Sequence, residues 1–291
     1  MVGLPCAKAA LSKGHSVRGL GRNSDKVPKD VSQCLESFEK ISSLYDIPAL
    51  DRAVKGVDTI ICAYTYAPEV VVEGQLLLLR AAERAGVKIF HAASWNMDWT
   101  RGTLGEHESY DPYIVFANHV RLSSSIKPIY AFTGIIVELF FDNPRGSAWD
   151  RESKTLSYFG DGEKAFIYCT ADDLAAYSVE AVTAAGAENG GFIRVNSFRL
   201  TPEELVREYE AARSGEVKAQ AKKVGGLEDA ERMLEGARKT IDVKEFEKYI
   251  GLSYVVHMLK GTWDFEAVDV ERFKGVKGTT MGEWFELHPE M

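Results

Sequence analysis

The stretch Met1-Val2-Gly3-Leu4-Pro5-Cys6-Ala7-Lys8-Ala9-Ala10-Leu11-Ser12-Lys13-Gly14-His15, followed by Ser16-Val17-Arg18-Gly19-Leu20-Gly21-Arg22, decides the fold. Residues 3–13 read as a helix, since Pro5 is tolerated in a first turn and Gly14 stops the run. Residues 16–21 read as the strand that follows it. Together they form the later parts of a parallel βαβ unit whose helix N-terminus suits a pyrophosphate. The strand and two glycines that would come first do not precede them, and of a glycine-rich turn only Gly3 remains. Loss of a central strand leaves unpaired edges and a slot in the core, a large cost, so if the start is genuine Val17–Leu20 and Thr59–Ala63 must pair directly or another segment must fill the gap. Two explanations compete: a start some ~10–15 residues further upstream, the length of a strand plus turn, or loss of the dinucleotide grip.

Outward from this stretch, strand and helix alternate. Leu35 to Ile41 reads as a strand near an edge, and Asp46 to Lys55 as a short helix ended by Gly56. Asp58 to Ala63 is a continuous apolar run of the kind buried on both faces of a parallel sheet. Val70 to Ala85 is a long helix stopped by Gly86, and Val87 to Ala93 is the next buried strand. Ser94 to Asp111 is a loop rich in Trp, Asn and Asp, with Pro112 to Ser124 a helix after it. Ile129–Phe132 and Ile135–Glu138 supply strand material, and Asn143-Pro144 leads into a second lobe. Thr155–Phe159 and Phe192–Val195 are further strands. Thr170 and Thr201 open helices with capping boxes, and 201–260 is helical. The pattern predicts an α/β fold with a Rossmann-like, doubly wound parallel sheet and a smaller, mostly helical C-terminal lobe. The nucleotide-binding domain spans 1–140 and the lobe 141–291, with 170–200 returning to the sheet.

Composition narrows the function. The 291 residues carry a net charge of −8 and no basic block, which argues against direct nucleic-acid binding. No apolar run reaches the ~18 residues of a membrane span, and lysines interrupt the N-terminal run, unlike a signal peptide. Cys6, Cys34, Cys62 and Cys169 lack metal-ligand spacing, so no metal is expected and reduced thiols in a cytoplasmic protein are.

The order of these elements resembles the NmrA-like branch of the atypical short-chain dehydrogenase/reductases, which includes isoflavone-reductase-like enzymes and redox-sensing regulators. The likeness rests on Val17 to Asn23, Ala53 to Asp58, Ala81 to Lys88, the segment from Ser94, and Thr170 to Leu174. It implies NADP(H) binding and reduction of a small organic molecule, with the cofactor in question because the glycine-rich turn is incomplete. It also implies a lysine on the helix at the place of Ala117, and Gly-Asp-Leu where this chain has Ser42-Ser43-Leu44.

Candidate site residues follow from position. Arg22, with Asn23 and Lys26, ends the second strand where a cation meets a 2′-phosphate, which favours NADP over NAD. Tyr64 and Thr65 follow a buried strand, at the end where parallel sheets bind ligands. Gly3 and Ser43 complete the cofactor set. The resemblance places a cofactor- or substrate-contacting hydroxyl at Ser94. Asn118 and His119 are the polar neighbours of Ala117, and His119 suits general acid–base work; His91, in a strand, reads as a core residue. Trp95, Trp99, Tyr110 and Phe141 suit an aromatic or apolar substrate, or a core. The leading reading is an NADP(H)-type oxidoreductase. The alternatives are a non-catalytic dinucleotide-sensing regulator, or a redox-independent cyclase, dehydratase or isomerase using the same cleft. The charged helices over 201–250 leave a lid, a homodimer surface, a regulatory partner's surface or a solvated exterior open.

Overall fold

The computed structural model describes residues 1–142 and 147–291; the expected passage at Asn143-Pro144 lies outside the described residues. The first half alternates helix and strand: α1 (Gly3–Ser12), β1 (Arg18–Gly21), α2 (Lys29–Ser32), β2 (Ser37–Lys40), α3 (Ile47–Val54) and β3 (Thr59–Ile61). A π-turn over Val70–Gly74 runs into α4 (Gln75–Ala85), followed by β4 (Ile89–His91), α5 (Asp111–Ser123) and β5 (Ile129–Phe132). The second half comprises β6 (Ile135–Ile136), α6 (Val137–Phe141), β7 (Trp149–Asp150), β8 (Thr155–Phe159), β9 (Phe166–Cys169), α7 (Ala171–Thr183), β10 (Gly191–Arg194) and β11 (Phe198–Leu200). It continues through α8 (Pro202–Ala212), β12 (Gln220–Gly225), α9 (Leu227–Thr240), α10 (Ile250–Lys260) and α11 (Met281–Leu287).

Strands β10, β5, β4 and β3 pair in that order, all parallel, and β1 pairs parallel with β2. Among the described residues β1 and β3 do not pair, and no other strand lies between them. The doubly wound sheet is thus split: among the described residues β1 and β3 neither pair directly nor have another segment between them, contrary to the two expected outcomes. The split is a cleft of about 850 Å³, bounded by Val17–Leu20 on one side and Thr59–Ala63 on the other. A dry void of that size would cost about 20 kcal/mol at ~24 cal/mol per Å³, more than the ~5–15 kcal/mol stability of a domain. It is instead open to solvent, with the exposed Lys26, Glu36 and Asp58 on its lining. Helices α1 and α7 cover one face, tied by the Lys13–Glu180 ion pair. Helices α3 and α4 cover the other, each presenting buried leucine: Leu50 from α3, Leu78 and Leu79 from α4.

Local chemistry explains most boundaries. Asp46 caps α3 by accepting from the Ala49 N–H at 3.3 Å, and Gly86 closes α4 in the left-handed conformation (φ 77°). Thr201 makes a full capping box with Glu204. Thr170 accepts from the Asp173 N–H, but the Asp173 carboxylate turns away to bind Ser197 and Thr279. This buried aspartate therefore ties α7 to two distant segments as well as lying in a helix start.

Three expectations change. The three residues of β3 are only partly buried, because one edge looks into the cleft. The helix expected from Val70 begins as a π-turn, which lets the buried Gln75 accept from the Ala93 N–H at 2.6 Å while donating to the Val71 carbonyl. Residues 201–260 are not helical throughout: Gln220–Gly225 is a strand, parallel to β8. A second apolar core, with Val137, Phe141, Trp149, Leu205 and Trp284, joins α6, β7, α8 and α11.

Candidate active site

Helix α1 opens on a bare N-terminus. Val2 supplies no side-chain cap and the first turn holds no acidic residue. Gly3 and Leu4 keep N–H groups without an intrahelical partner, which makes this end attractive to an anion. A Cβ on Gly3 would sit 3.3 Å from the Ala63 Cβ, so the helix start lies against the carboxyl end of β3. Gly3 is thus the glycine at the close helix–strand contact.

Arg22 follows the last residue of β1 and is exposed. Among the described residues neither Arg22 nor Lys26 has an ion-pair partner, leaving two free cations after β1. Asn23 accepts from the Asp25 N–H at 2.9 Å and so caps a short 3₁₀ turn at Ser24–Lys26. Ser43 is exposed and its hydroxyl accepts from the Tyr45 N–H at 3.2 Å. Thr65 is exposed; Tyr64 is half-buried at the end of the cleft, with no partner for its hydroxyl among the described residues. Burial raises the Tyr64 phenol above its ordinary range, so the group stays protonated.

The carboxyl ends of β4 and β5 close on one another. The Asn96 carbonyl accepts from the N–H groups of Thr133 (2.9 Å) and Gly134 (3.2 Å). Gly134 has φ 79°, and a Cβ there would fall 2.4 Å from the Ile167 carbonyl oxygen, so only glycine fits. Tyr113 stands one turn before Ala117 on the inward face of α5. Burial holds Tyr113 protonated well above its ordinary pKa, with the neighbouring Tyr254 acting the same way. The Asn96 Oδ1 and Thr133 Oγ1 are buried and without partners among the described residues. Buried acceptors and hydroxyls left unsatisfied are costly, and here they gather where a parallel sheet binds its ligand.

The structure separates the other sequence candidates from this cluster. Ser94 is buried, donates to the Ala92 carbonyl at 3.1 Å and accepts from the Ala131 N–H at 2.9 Å. Its hydroxyl laces β4 to β5. Asn118 and His119 are exposed, whereas Tyr113, Phe116 and Val120 make the buried stripe of α5. Trp95 and Trp99 are core residues: the Trp95 indole donates to Ser178 at 2.7 Å, and Trp99 packs on Tyr113, Tyr130 and Phe132. Asp98, fully buried, takes two hydrogen bonds from Arg194, at 3.0 and 2.7 Å, which pins the 94–111 loop to β10. His91 is buried, hydrogen-bonded to the Ala92 carbonyl and stacked on Trp95. Sequence reasoning missed Tyr113. The signal was available: Tyr113 stands four residues before Ala117, so both share a helix face. No group of three or more His, Cys, Asp or Glu residues that would hold a metal occurs among the described residues, and no helix there is long and apolar enough to cross a membrane.

Comparison with known proteins bears on this geometry. The model of the NmrA-like family matches residues 2–280. A bifunctional pinoresinol-lariciresinol reductase of Linum usitatissimum is 28% identical over 191 residues, 61% of this chain and 60% of that protein. The match therefore spans about 60% of the length of that relative. An isoflavone reductase of Cicer arietinum is 25% identical over 285 residues, 89% of this chain and 83% of that protein. Among solved structures, AtPrR2 with NADP+ and (+)-pinoresinol superposes with a TM-score of 0.75 at 22% identity, covering 98% of this chain and 95% of that one. The leucoanthocyanidin reductase–NADPH complex from Vitis vinifera gives 0.77 at 15%, covering 99% and 96%. These structural likenesses are of fold.

Proposed function

The chain belongs to the NmrA-like family, and on that footing we propose that it binds an NADP(H)-type dinucleotide across the carboxyl ends of β1, β3 and β4 and reduces a small aromatic or apolar molecule. One observation carries the reading: the free cations Arg22 and Lys26 and the uncapped start of α1 flank the same end of the split sheet. The donor set fits the group in kind. Guanidinium and ammonium suit a 2′-phosphate, and helical N–H groups suit a pyrophosphate. The names of the relatives point the same way, toward NADP(H) and lignan or isoflavone substrates.

When bound, the dinucleotide supplies a hydride. The remaining work falls to this chain's side chains. Tyr113, kept neutral by burial, holds a proton at its hydroxyl. The open Asn96 Oδ1 and Thr133 Oγ1 offer hydrogen bonds to a polar group of the substrate. In this reading Ser94 keeps β4 and β5 in register, and Asn118 and His119 stay on the solvent face. A second reading, a dinucleotide sensor without turnover, is favoured by Ala117: the inward face of α5 carries no cation to hold a ribose or donate a proton.

The test is a fluorescence titration with NADPH and NADH. The reading expects NADPH to bind more tightly than NADH. Arg22→Glu lowers NADPH affinity by about tenfold or more, the worth of a charge-assisted hydrogen bond, and leaves NADH unchanged. Equal affinity for both, or no binding at millimolar concentration, overturns it. Binding that Tyr113→Phe preserves, together with reduction of a lignan or isoflavone that it abolishes, selects the enzyme; binding with no turnover of any such compound selects the sensor.

A further inference from the structure

We propose that residues 227–260, helices α9 and α10 with the turn between them, form a lid that swings as a unit over the 94–111 loop and is latched by the Arg238–Glu108 ion pair. Packing gives the first reason. Beside the larger cores, a third apolar cluster holds Ala230, Leu234, Phe246, Tyr249 and Val256. Apart from Phe159 of β8, every residue packed into it lies between Leu227 and Val256. The hairpin therefore carries a core of its own and keeps it when it moves. The Lys260–Glu231 ion pair, at 2.5 Å, joins its two helices at the open end. The chain enters it through Gly225-Gly226 and leaves through Gly261, which has φ 70°. Element ends of this kind absorb the backbone rotation of a hinge.

The docked face of α10 gives the second reason. Val255 and Val256 belong to the hairpin's own cluster, whereas Tyr254 and Met258, one turn apart, pack on the main core. There Tyr110, Tyr254 and Trp263 ring His107, with centroid distances of 4.6, 4.6 and 4.7 Å. Both ring nitrogens of His107 and Nδ1 of His257 are buried in this seam without a hydrogen-bond partner among the described residues. Such atoms are costly, and water reaches them only when the seam parts. No residue of the hairpin's own cluster carries an atom of this kind among the described residues. The seam is thus the weaker join, and the hairpin the stronger one.

The third reason is the latch. Glu108 accepts from Arg238 at both carboxylate oxygens, at 2.8 and 2.9 Å, and from the Tyr249 hydroxyl at 3.1 Å. The same guanidinium donates to the Glu106 carbonyl at 2.9 Å. Arg238 lies on α9 and Tyr249 immediately before α10, so both arms of the hairpin close on one carboxylate of the loop. A bidentate, charge-assisted contact of this kind is strong and directional. The Arg238 side chain is 34% exposed and that of Glu108 16%, so solvent reaches the pair without dissolving it. An opened seam presents Tyr110, Tyr254 and Trp263, surfaces that suit a flat aromatic molecule; that use alone rests on the function proposed above.

The test is hydrogen exchange at single amides of the full chain. It uses no dinucleotide, so its outcome is separate from that of the NADPH titration. Two amides lie under the lid: Met97, which donates to the Tyr110 hydroxyl at 3.0 Å, and Tyr110, which donates to the His107 carbonyl at 2.9 Å. Two others read the hairpin's own fold: Leu234 in α9 and Val256 in α10. Arg238→Gln is expected to speed exchange at Met97 and Tyr110 by about tenfold or more, the equilibrium worth of a hydrogen bond to a charged group, and to leave Leu234 and Val256 unchanged. Glu108→Gln is expected to do the same, and the double variant no more than either alone, because both act on one contact. The unaltered chain in about 1 M salt, which screens a part-exposed pair, is expected to show a smaller acceleration at the same two amides. Unchanged rates at Met97 and Tyr110 overturn the proposal. So does acceleration shared equally by Leu234 and Val256, since the hairpin would then unfold rather than swing, and so do additive effects in the double variant.

Discussion

β3 and β4 are neighbours in one parallel sheet, and the more apolar of the two is the less buried. Thr59, Ile60 and Ile61 are all part exposed, while Phe90 and His91 of β4 are sealed completely. The difference is the second neighbour. β4 lies between β3 and β5, under helices on both faces; β3 has β4 on one side and the cleft on the other. The same contrast separates β1, with no buried residue, from β5, with four. Burial here is set by what stands beside a strand, and an apolar sequence only permits it.

The contrast can be broken most directly by truncation. Phe90→Ala is expected to cost about 3–5 kcal/mol, as for a large side chain removed from a packed core. Ile60→Ala in the half-open β3 is expected to cost less than about 2 kcal/mol. Urea denaturation measures both, and equal losses would mean that the cleft is closed in solution.

The next effect depends on pH. Burial lowers the pKa of His91 to about 4 and that of His107 to about 2, the latter with help from His257 and Arg238. Both are neutral when folded and take up protons near pH ~6.5 when unfolded. Their contribution is complete above that pH and is lost as pH falls toward the folded values. Between pH ~6.5 and ~4.5 each histidine should remove about 2–3 kcal/mol. Both belong to the densely packed half, where His107 lies among Tyr110, Tyr254, His257 and Trp263. His107→Phe should flatten the profile measured by denaturation at several pH values; an unchanged slope would show that these rings are solvated.

Ser94→Ala gives the smallest effect. Its hydroxyl spans β4 and β5, so its loss should cost about 1–2 kcal/mol with NADPH affinity unchanged. Lost turnover at undiminished stability would return Ser94 to the chemistry.

The alternation of helix and strand was legible because each boundary is written locally: Asp46, Gly86 and Thr201 cap helices through their own side chains or their lack of one. Strand β12 was not, since Gln220-Ala221-Lys222-Lys223-Val224-Gly225 has little apolar alternation and is held by its pairing with β8. The places of Gly3 at the start of α1 and of Arg22 just past β1 were legible in the sequence. The contact between Asn96 and Thr133 was not, because it joins two strand ends from separate parts of the chain.

By itself, the sequence determined a parallel α/β fold, a first helix opening at Gly3, and cations at the end of β1, all matters of local periodicity and residue type. Only the tertiary structure decided that β1 and β3 stay apart, that Ser94 is spent on the sheet, and that His91 is sealed and neutral. Those outcomes depend on hydrogen-bond partners and packing neighbours remote in sequence, and no local pattern encodes them.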